Sequence, residues 1–135
     1  MLLILLKIFI AAFLLNLFWE VSHGVLYLTC QKMTLNNYVK VILKASLKDA
    51  FFILLFYLIT VLIFNNYFIL QNYFQLTIFI LVCLIFSLVD EIISLKLKRW
   101  EYTDKMPRIF KVGLSPLLEV ALTGVISFIL IFSLL

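Results

Sequence analysis

The segment MLLILLKIFIAAFLLNLFWEVSHGVLY (residues 1–27) opens with fifteen residues that are apolar except for Lys7. It then introduces Asn16, Trp19, Glu20, Ser22, His23 and Tyr27 before the run ends. A helix that crosses a bilayer needs about 20 mostly apolar residues. The segment meets that length, and three later stretches do too, giving spans over 2–28, 46–65, 73–95 and 115–135. The chain is 66% hydrophobic and 13% charged, whereas soluble domains carry about a quarter charged residues. The apolar residues fall on consecutive positions, without the alternation of barrel strands. Three glycines and two prolines leave long helices uninterrupted. The expected fold is all-α: a polytopic membrane protein with four transmembrane helices in a single domain, residues 1–135.

No Lys or Arg precedes the first apolar run and no small-x-small site follows it, so it reads as a span and not as a cleaved leader. Cys30 and Cys83 lack His or Cys neighbours at metal or redox spacing and read as two separate thiols. Ten of the eleven basic residues lie in two segments. Lys32, Lys40, Lys44 and Lys48 fall between the first two spans or at the start of the second. Lys96, Lys98, Arg99, Lys105, Arg108 and Lys111 fall between the last two. The positive-inside rule puts both segments in the cytoplasm and both termini outside, in a multi-pass protein of the inner (cytoplasmic) membrane. Lys7, the exception, snorkels to the outer interface. The basic excess points to anionic lipid headgroups as partners and gives no indication of nucleic acid.

Residues 34–45 (TLNNYVKVILKA) are expected to form an interfacial helix, with Tyr38, Val41, Ile42 and Ala45 on one face and Lys40 and Lys44 on the other. In the last loop, both arginines of the chain, Arg99 and Arg108, offer a planar fork suited to carboxylate or phosphate. Trp100 and Tyr102 read as interface anchors. The fourth helix is expected to start with Ser115 as N-cap and Pro116 at its first position, which puts Glu119 near the first turn.

Asn16, Glu20, His23 and Tyr27 are spaced by four, three and four residues, so they share one helix face. A carboxylate facing lipid at that depth costs several kcal/mol, so this face turns into the bundle. Asp49, Tyr57 and Thr60 in the second span, Ser87, Asp90, Glu91 and Ser94 in the third, and Glu119, Thr123 and Ser127 in the fourth supply matching polar stripes. Hydroxyl and amide groups such as Asn16, Thr60, Thr123 and Ser127 serve as interhelical links. Carboxylates differ, because each buried ion must be neutralised or paired. Five of the seven, Glu20, Asp49, Asp90, Glu91 and Glu119, fall at one level of the expected bundle.

Metal chemistry has little motif support: HExxH and CxxC are absent, and Glu20-x-x-His23 is a single copy of a motif that di-iron bundles use in pairs. The sequence therefore implies neither a metal nor an organic cofactor. No Ser or Cys sits in a G-x-S-x-G elbow. Acid–base chemistry on an apolar substrate fits better. A carboxyl group in an apolar cavity holds its proton near neutral pH. Glu20 or Glu119 would donate to an alkene, and His23 or Asp49 would remove a proton afterwards. Trp19, Tyr27 and Tyr57, with nearby carboxylates, would stabilise the cation between these steps. Asn16 and Glu91 complete the expected lining, and Arg99, Trp100, Tyr102 and Arg108 would meet an anionic headgroup at the mouth. A proton-coupled carrier or channel, as a homo-oligomer, and an accessory subunit of a membrane complex are the alternatives.

The motifs NLFWE, RWEYTDKMP and GLSPLLE resemble a family of small four-helix bacterial integral membrane proteins, a resemblance that implies a fold and no activity. Pro116-Leu117-Leu118-Glu119 is similar to the Pro-Leu-Glu-Glu motif of the membrane-bound lycopene cyclase domain, with Leu118 at the first carboxylate position and Glu119 at the second. That resemblance implies isoprenoid chemistry with Glu119 as a participating acid. Sterol-isomerase-like membrane domains are similar in using buried Glu, His and Trp.

Overall fold

The computed structural model describes residues 2–133. Four of its helices are long and apolar enough to cross a membrane. Helix α1 (Leu2–His23) continues through a 3-10 turn (Gly24–Leu26), and a one-turn helix α2 (Leu28–Gln31) follows. Helix α3 (Leu35–Phe64), helix α4 (Tyr73–Lys96) and helix α5 (Leu114–Ser133) complete the bundle. A two-residue hairpin, β1 (Arg108–Ile109) with β2 (Val112–Gly113), precedes α5. Positions 134 and 135 of the expected fourth span lie outside the described residues.

The first correction concerns residues 34–45, which are not a separate interfacial helix. They are the first turns of the 30-residue α3, capped by Thr34, whose hydroxyl accepts from the Asn37 N–H at 3.5 Å. Nothing between residues 35 and 64 breaks the helix, and tertiary contacts hold its start. Tyr38 lies over Gly24, where a Cβ would come within 2.8 Å of the tyrosine hydroxyl, and Ile42 and Ser46 are buried. At the far end Asn65 closes α3 in the left-handed region (φ 47°), and the Asn72 side chain caps α4 by accepting from the N–H groups of Phe74 and Gln75.

The second correction concerns α5, which starts at Leu114, one residue ahead of the expected Ser115 cap. The preceding loop satisfies its first donors: the Leu114 N–H bonds the Pro107 carbonyl at 2.8 Å and the Gly113 N–H bonds the Tyr102 hydroxyl at 3.0 Å. Glu119 consequently lies beyond the first turn, outside the reach of the terminal dipole.

Helix α1 packs against α3 and α5, and α4 packs against α5 and α3. The middle of the bundle is apolar, built on the fully buried Ile8, Ala12, Ile53, Tyr57, Phe79 and Phe128. The Phe79 and Phe128 rings meet edge-on with centroids 4.9 Å apart, a favoured aromatic arrangement. At one end, Asn66 donates to the Gln75 side-chain oxygen at 3.1 Å, Gln75 returns a bond to the Asn66 carbonyl at 2.9 Å, and the α3–α4 connection is thereby pinned. At the other end, which carries most of the basic residues, the two remaining connections join each other. The Leu28 N–H donates to the Glu101 carbonyl at 2.9 Å, the Thr103 N–H donates to the Leu26 carbonyl at 2.8 Å, and Tyr27 bridges to Tyr102.

Close approach of α4 and α5 requires Gly124, where a Cβ would stand 2.7 Å from the fully buried Phe79 ring. A larger side chain there must displace this buried ring, so Gly124→Val is expected to destabilise the bundle by about 1–3 kcal/mol. A thermal melt in detergent should show this loss, and Phe79→Leu in the same chain should recover part of it.

Candidate functional site

The polar stripe of α1 faces inward, but its members have different roles. Asn16 is fully buried; its amide donates to the Ala12 carbonyl at 2.7 Å, and its oxygen accepts from the Thr123 hydroxyl of α5 at 3.1 Å. It ties α1 to α5 below the floor of the cavity and is absent from the cavity wall. One turn further on, Glu20 and His23 meet Glu119 from α5. The His23 Nε2 lies 3.4 Å from Glu20 Oε2 and 4.0 Å from Glu119 Oε2. His23 and Glu119 are buried and Glu20 is half-buried. Glu119 Oε1 and His23 Nδ1 are enclosed without a hydrogen-bond partner in the protein. Taken one from each side chain, the ligand atoms of the three residues lie within 4.8 Å of one another, so the group is able to hold a metal ion.

These residues stand on the wall of a cavity of about 600 Å³ at the basic end of the bundle. Glu20, His23, Tyr27, Asp49, Glu91, Arg99, Trp100 and Glu119, all expected from the sequence, line it. Asp49 is buried beside the Lys48 ammonium at 3.6 Å, and the same ammonium bonds Asp90 of α4 at 2.8 Å. Lys48 thus links two carboxylates and clamps α3 to α4. The apolar part of the wall includes Ile42, Phe86 and Val120. Three lining residues come from the short α2 region, Thr29, Cys30 and Met33. Sequence reasoning missed these last three, since neither periodicity nor charge distinguishes them from a linker. Burial and the nearby Glu20 raise the Cys30 thiol above its ordinary range, which leaves it protonated and a poor nucleophile.

Glu91 is buried and serves mainly as an anchor. Its Oε1 accepts the Trp100 indole N–H at 3.0 Å and a short bond from the Tyr102 hydroxyl. Burial first, then the bond to Glu91, raises the Tyr102 phenol; burial first, then the Glu91 charge, raises that of Tyr27. Both phenols therefore stay neutral well past their ordinary range. The Tyr27 ring packs on His23 (5.4 Å), Tyr102 (5.5 Å) and Trp100 (6.1 Å), which closes the cavity on the loop side.

Besides Asn16, four expected lining residues, Trp19, Tyr57, Tyr102 and Arg108, are not brought to the cavity. Tyr57 lies eight residues along α3 from Asp49, about 12 Å by helix rise, and its hydroxyl donates to the Tyr67 carbonyl at the opposite end. Arg108 stacks over Tyr102 at 5.4 Å and donates to the Thr103 carbonyl, away from the mouth. Trp19 sets its ring edge against His23, centroids 6.2 Å apart, behind the wall. Tyr102 supports the loop from outside the wall, through Glu91 and Gly113. No family model, curated protein or solved structure matches the chain.

Removing the Glu91 carboxylate would leave two partly buried donors unpaired, each worth roughly 1–3 kcal/mol. Glu91→Ala is expected to loosen residues 97–113 and to speed tryptic cleavage at Lys105 and Arg108 in detergent. An unchanged cleavage rate would remove Glu91 as the anchor.

Proposed function

We propose that the chain is an integral membrane enzyme performing acid–base chemistry, of the isomerase or cyclase type, on an apolar isoprenoid-like lipid held in the cavity at the basic end. The observation that carries this reading is the Glu20–His23–Glu119 group, with His23 and Glu119 buried and carrying unpartnered polar atoms, on the wall of a cavity large enough for part of a lipid chain. Ligand cavities of small molecules run about 300–1,000 Å³ and combine an apolar lining with a few convergent polar groups. The Glu20–His23–Glu119 group supplies the proton that opens a double bond, and Asp49, on the same wall, removes a proton from the neighbouring carbon. The Tyr27 and Trp100 rings stabilise positive charge between the two transfers. Glu119 occupies the position at which the chain is similar to the membrane-bound lycopene cyclase motif, which adds an associational argument for isoprenoids.

A proton-coupled carrier is less well supported. Ile8, Ile53, Phe79 and Phe128 fill the bundle beyond the cavity, and a through-path needs polar groups there. The buried polar groups there, Asn16, Thr123 and Ser127, are bonded to one another or to carbonyls of their own helices.

The basic end is assigned to the cytoplasm, in the inner membrane, from its Lys and Arg content. In a Cys30→Ser, Cys83→Ala background, Tyr73→Cys is expected to react with an impermeant maleimide on intact cells, and Lys105→Cys only after lysis. The reverse pattern would turn the protein over. For the chemistry, untargeted lipid mass spectrometry should compare cells making wild type with cells making Glu20→Gln, Glu119→Gln at equal protein level. A lipid that changes only with wild type is the expected outcome; identical profiles would overturn the enzyme reading.

A further inference from the structure

We propose that Glu20, His23 and Glu119 form a binding site for a first-row divalent cation such as Zn²⁺, Mn²⁺ or Fe²⁺. The proposal concerns the same residues as the acid–base reading, but its binding test does not depend on turnover.

The geometry is the first argument. Two ligands each about 2.1 Å from one ion are at most about 4.2 Å apart. The His23 Nε2 lies 3.4 Å and 4.0 Å from the two carboxylates, and all three ligand atoms lie within 4.8 Å of one another. Around a tetrahedral ion such ligands stand roughly 3.4 Å apart, so the widest pair has to close by at most roughly 1.4 Å, a side-chain adjustment shared by the two glutamates. The ExxH spacing presents Glu20 and His23 on one face of α1, and α5 supplies the third ligand. The missing second motif copy is thus replaced by a residue ninety-six positions after His23 in the chain, 119 against 23.

Charge is the second argument. Two carboxylates at the end of an apolar bundle need compensation. Among the described residues no Lys or Arg forms an ion pair with Glu20 or Glu119; the nearby Lys48 is paired with Asp49 and Asp90. A divalent ion neutralises both carboxylates at once and leaves the imidazole neutral, the form that binds metal.

Glu119 itself is left incompletely satisfied. It is only 4% exposed, and its Oε1 meets no donor in the protein. A buried carboxylate oxygen normally has a partner, and an ion held between α1 and α5 supplies one.

One nitrogen and carboxylate oxygens suit zinc, manganese or iron better than calcium or magnesium, which favour all-oxygen sets. Three protein ligands leave coordination positions open, as in catalytic sites, and the residues line the cavity. Within the enzyme reading, the group's exchangeable proton then resides on a water bound to the ion, whose acidity the ion raises.

The full chain, purified in detergent and stripped with chelator, should be incubated separately with ZnCl₂ and MnCl₂, desalted, and assayed for metal per chain by mass spectrometry. Wild type is expected to retain about one Zn²⁺ or Mn²⁺, and Co²⁺ is expected to give visible ligand-field absorption. Glu20→Gln and Glu119→Gln should each weaken retention about tenfold or more, while Asp49→Asn, in the same cavity, should not. Should Glu119→Gln fail to elute as a monodisperse species, the half-buried Glu20→Gln decides alone. Metal no higher than a detergent blank, or equal retention in both Gln variants (an adventitious ion only), overturns the site. A wild-type-specific lipid with no metal retained would reject the ion and keep the enzyme reading. Retained metal with identical lipid profiles would do the opposite.

Discussion

Asp49, Glu91 and Glu119 are buried at one end of a bundle whose middle is apolar, and the requirement to compensate them organises that end of the molecule. An isolated ionised carboxylate in such surroundings is strongly unfavourable. Each of the three is met in a different way. Asp49 takes the Lys48 ammonium, which also reaches Asp90 and so fixes α3 against α4. Glu91 takes two loop donors, the Trp100 indole and the Tyr102 hydroxyl. Glu119 takes a histidine from α1 and retains one oxygen without a partner. The least satisfied carboxylate of the three is therefore the one whose side chain stands beside Glu20 and His23 on the cavity wall.

The bonds that satisfy Glu91 also shape the cavity. Holding Trp100 and Tyr102 brings residues 97–113 back over the helix ends, where their backbone bonds to Leu26 and Leu28. The two connections at the basic end thus form one layer, and the cavity lies beneath it among α1, α3, α4 and α5. At the opposite end, Thr60, Asn66 and Gln75 form a compact hydrogen-bonded cluster whose members satisfy one another. Polar residues at one end fasten a loop, and at the other they surround a space.

This division separates anchors from reactive candidates among residues that look alike in the sequence. Asn16, Tyr102 and Arg108 all bond to or stack on the protein itself. Glu20, His23, Asp49 and Glu119 remain on a wall with open volume in front of them. Trp100 has both roles, since its N–H holds Glu91 while its residue lines the cavity.

The sequence by itself determined the four apolar helices, because run length and consecutive apolar positions are local properties that a bilayer-spanning helix needs. It also determined that Asn16, Glu20, His23 and Tyr27 share a face, since helical spacing alone fixes that. The convergence of the carboxylates Glu20, Asp49, Asp90, Glu91 and Glu119 was legible as well, because apolar surroundings drive carboxylates to a common interior. Only the tertiary structure decided how far each side chain stands from that interior. Tyr57 belongs to the right stripe but to the wrong end of α3. The continuity of residues 35–64 depends on Tyr38 docking over Gly24, a contact between segments separated in sequence. The hairpin before α5 turns on Phe110 and Lys111 at positive φ (49° and 70°), without the Asn or Gly that marks such turns. The pairing of Glu119 with Glu20 and His23 joins the first helix to the last, and only the packing of α1 against α5 brings those side chains within ångströms of one another.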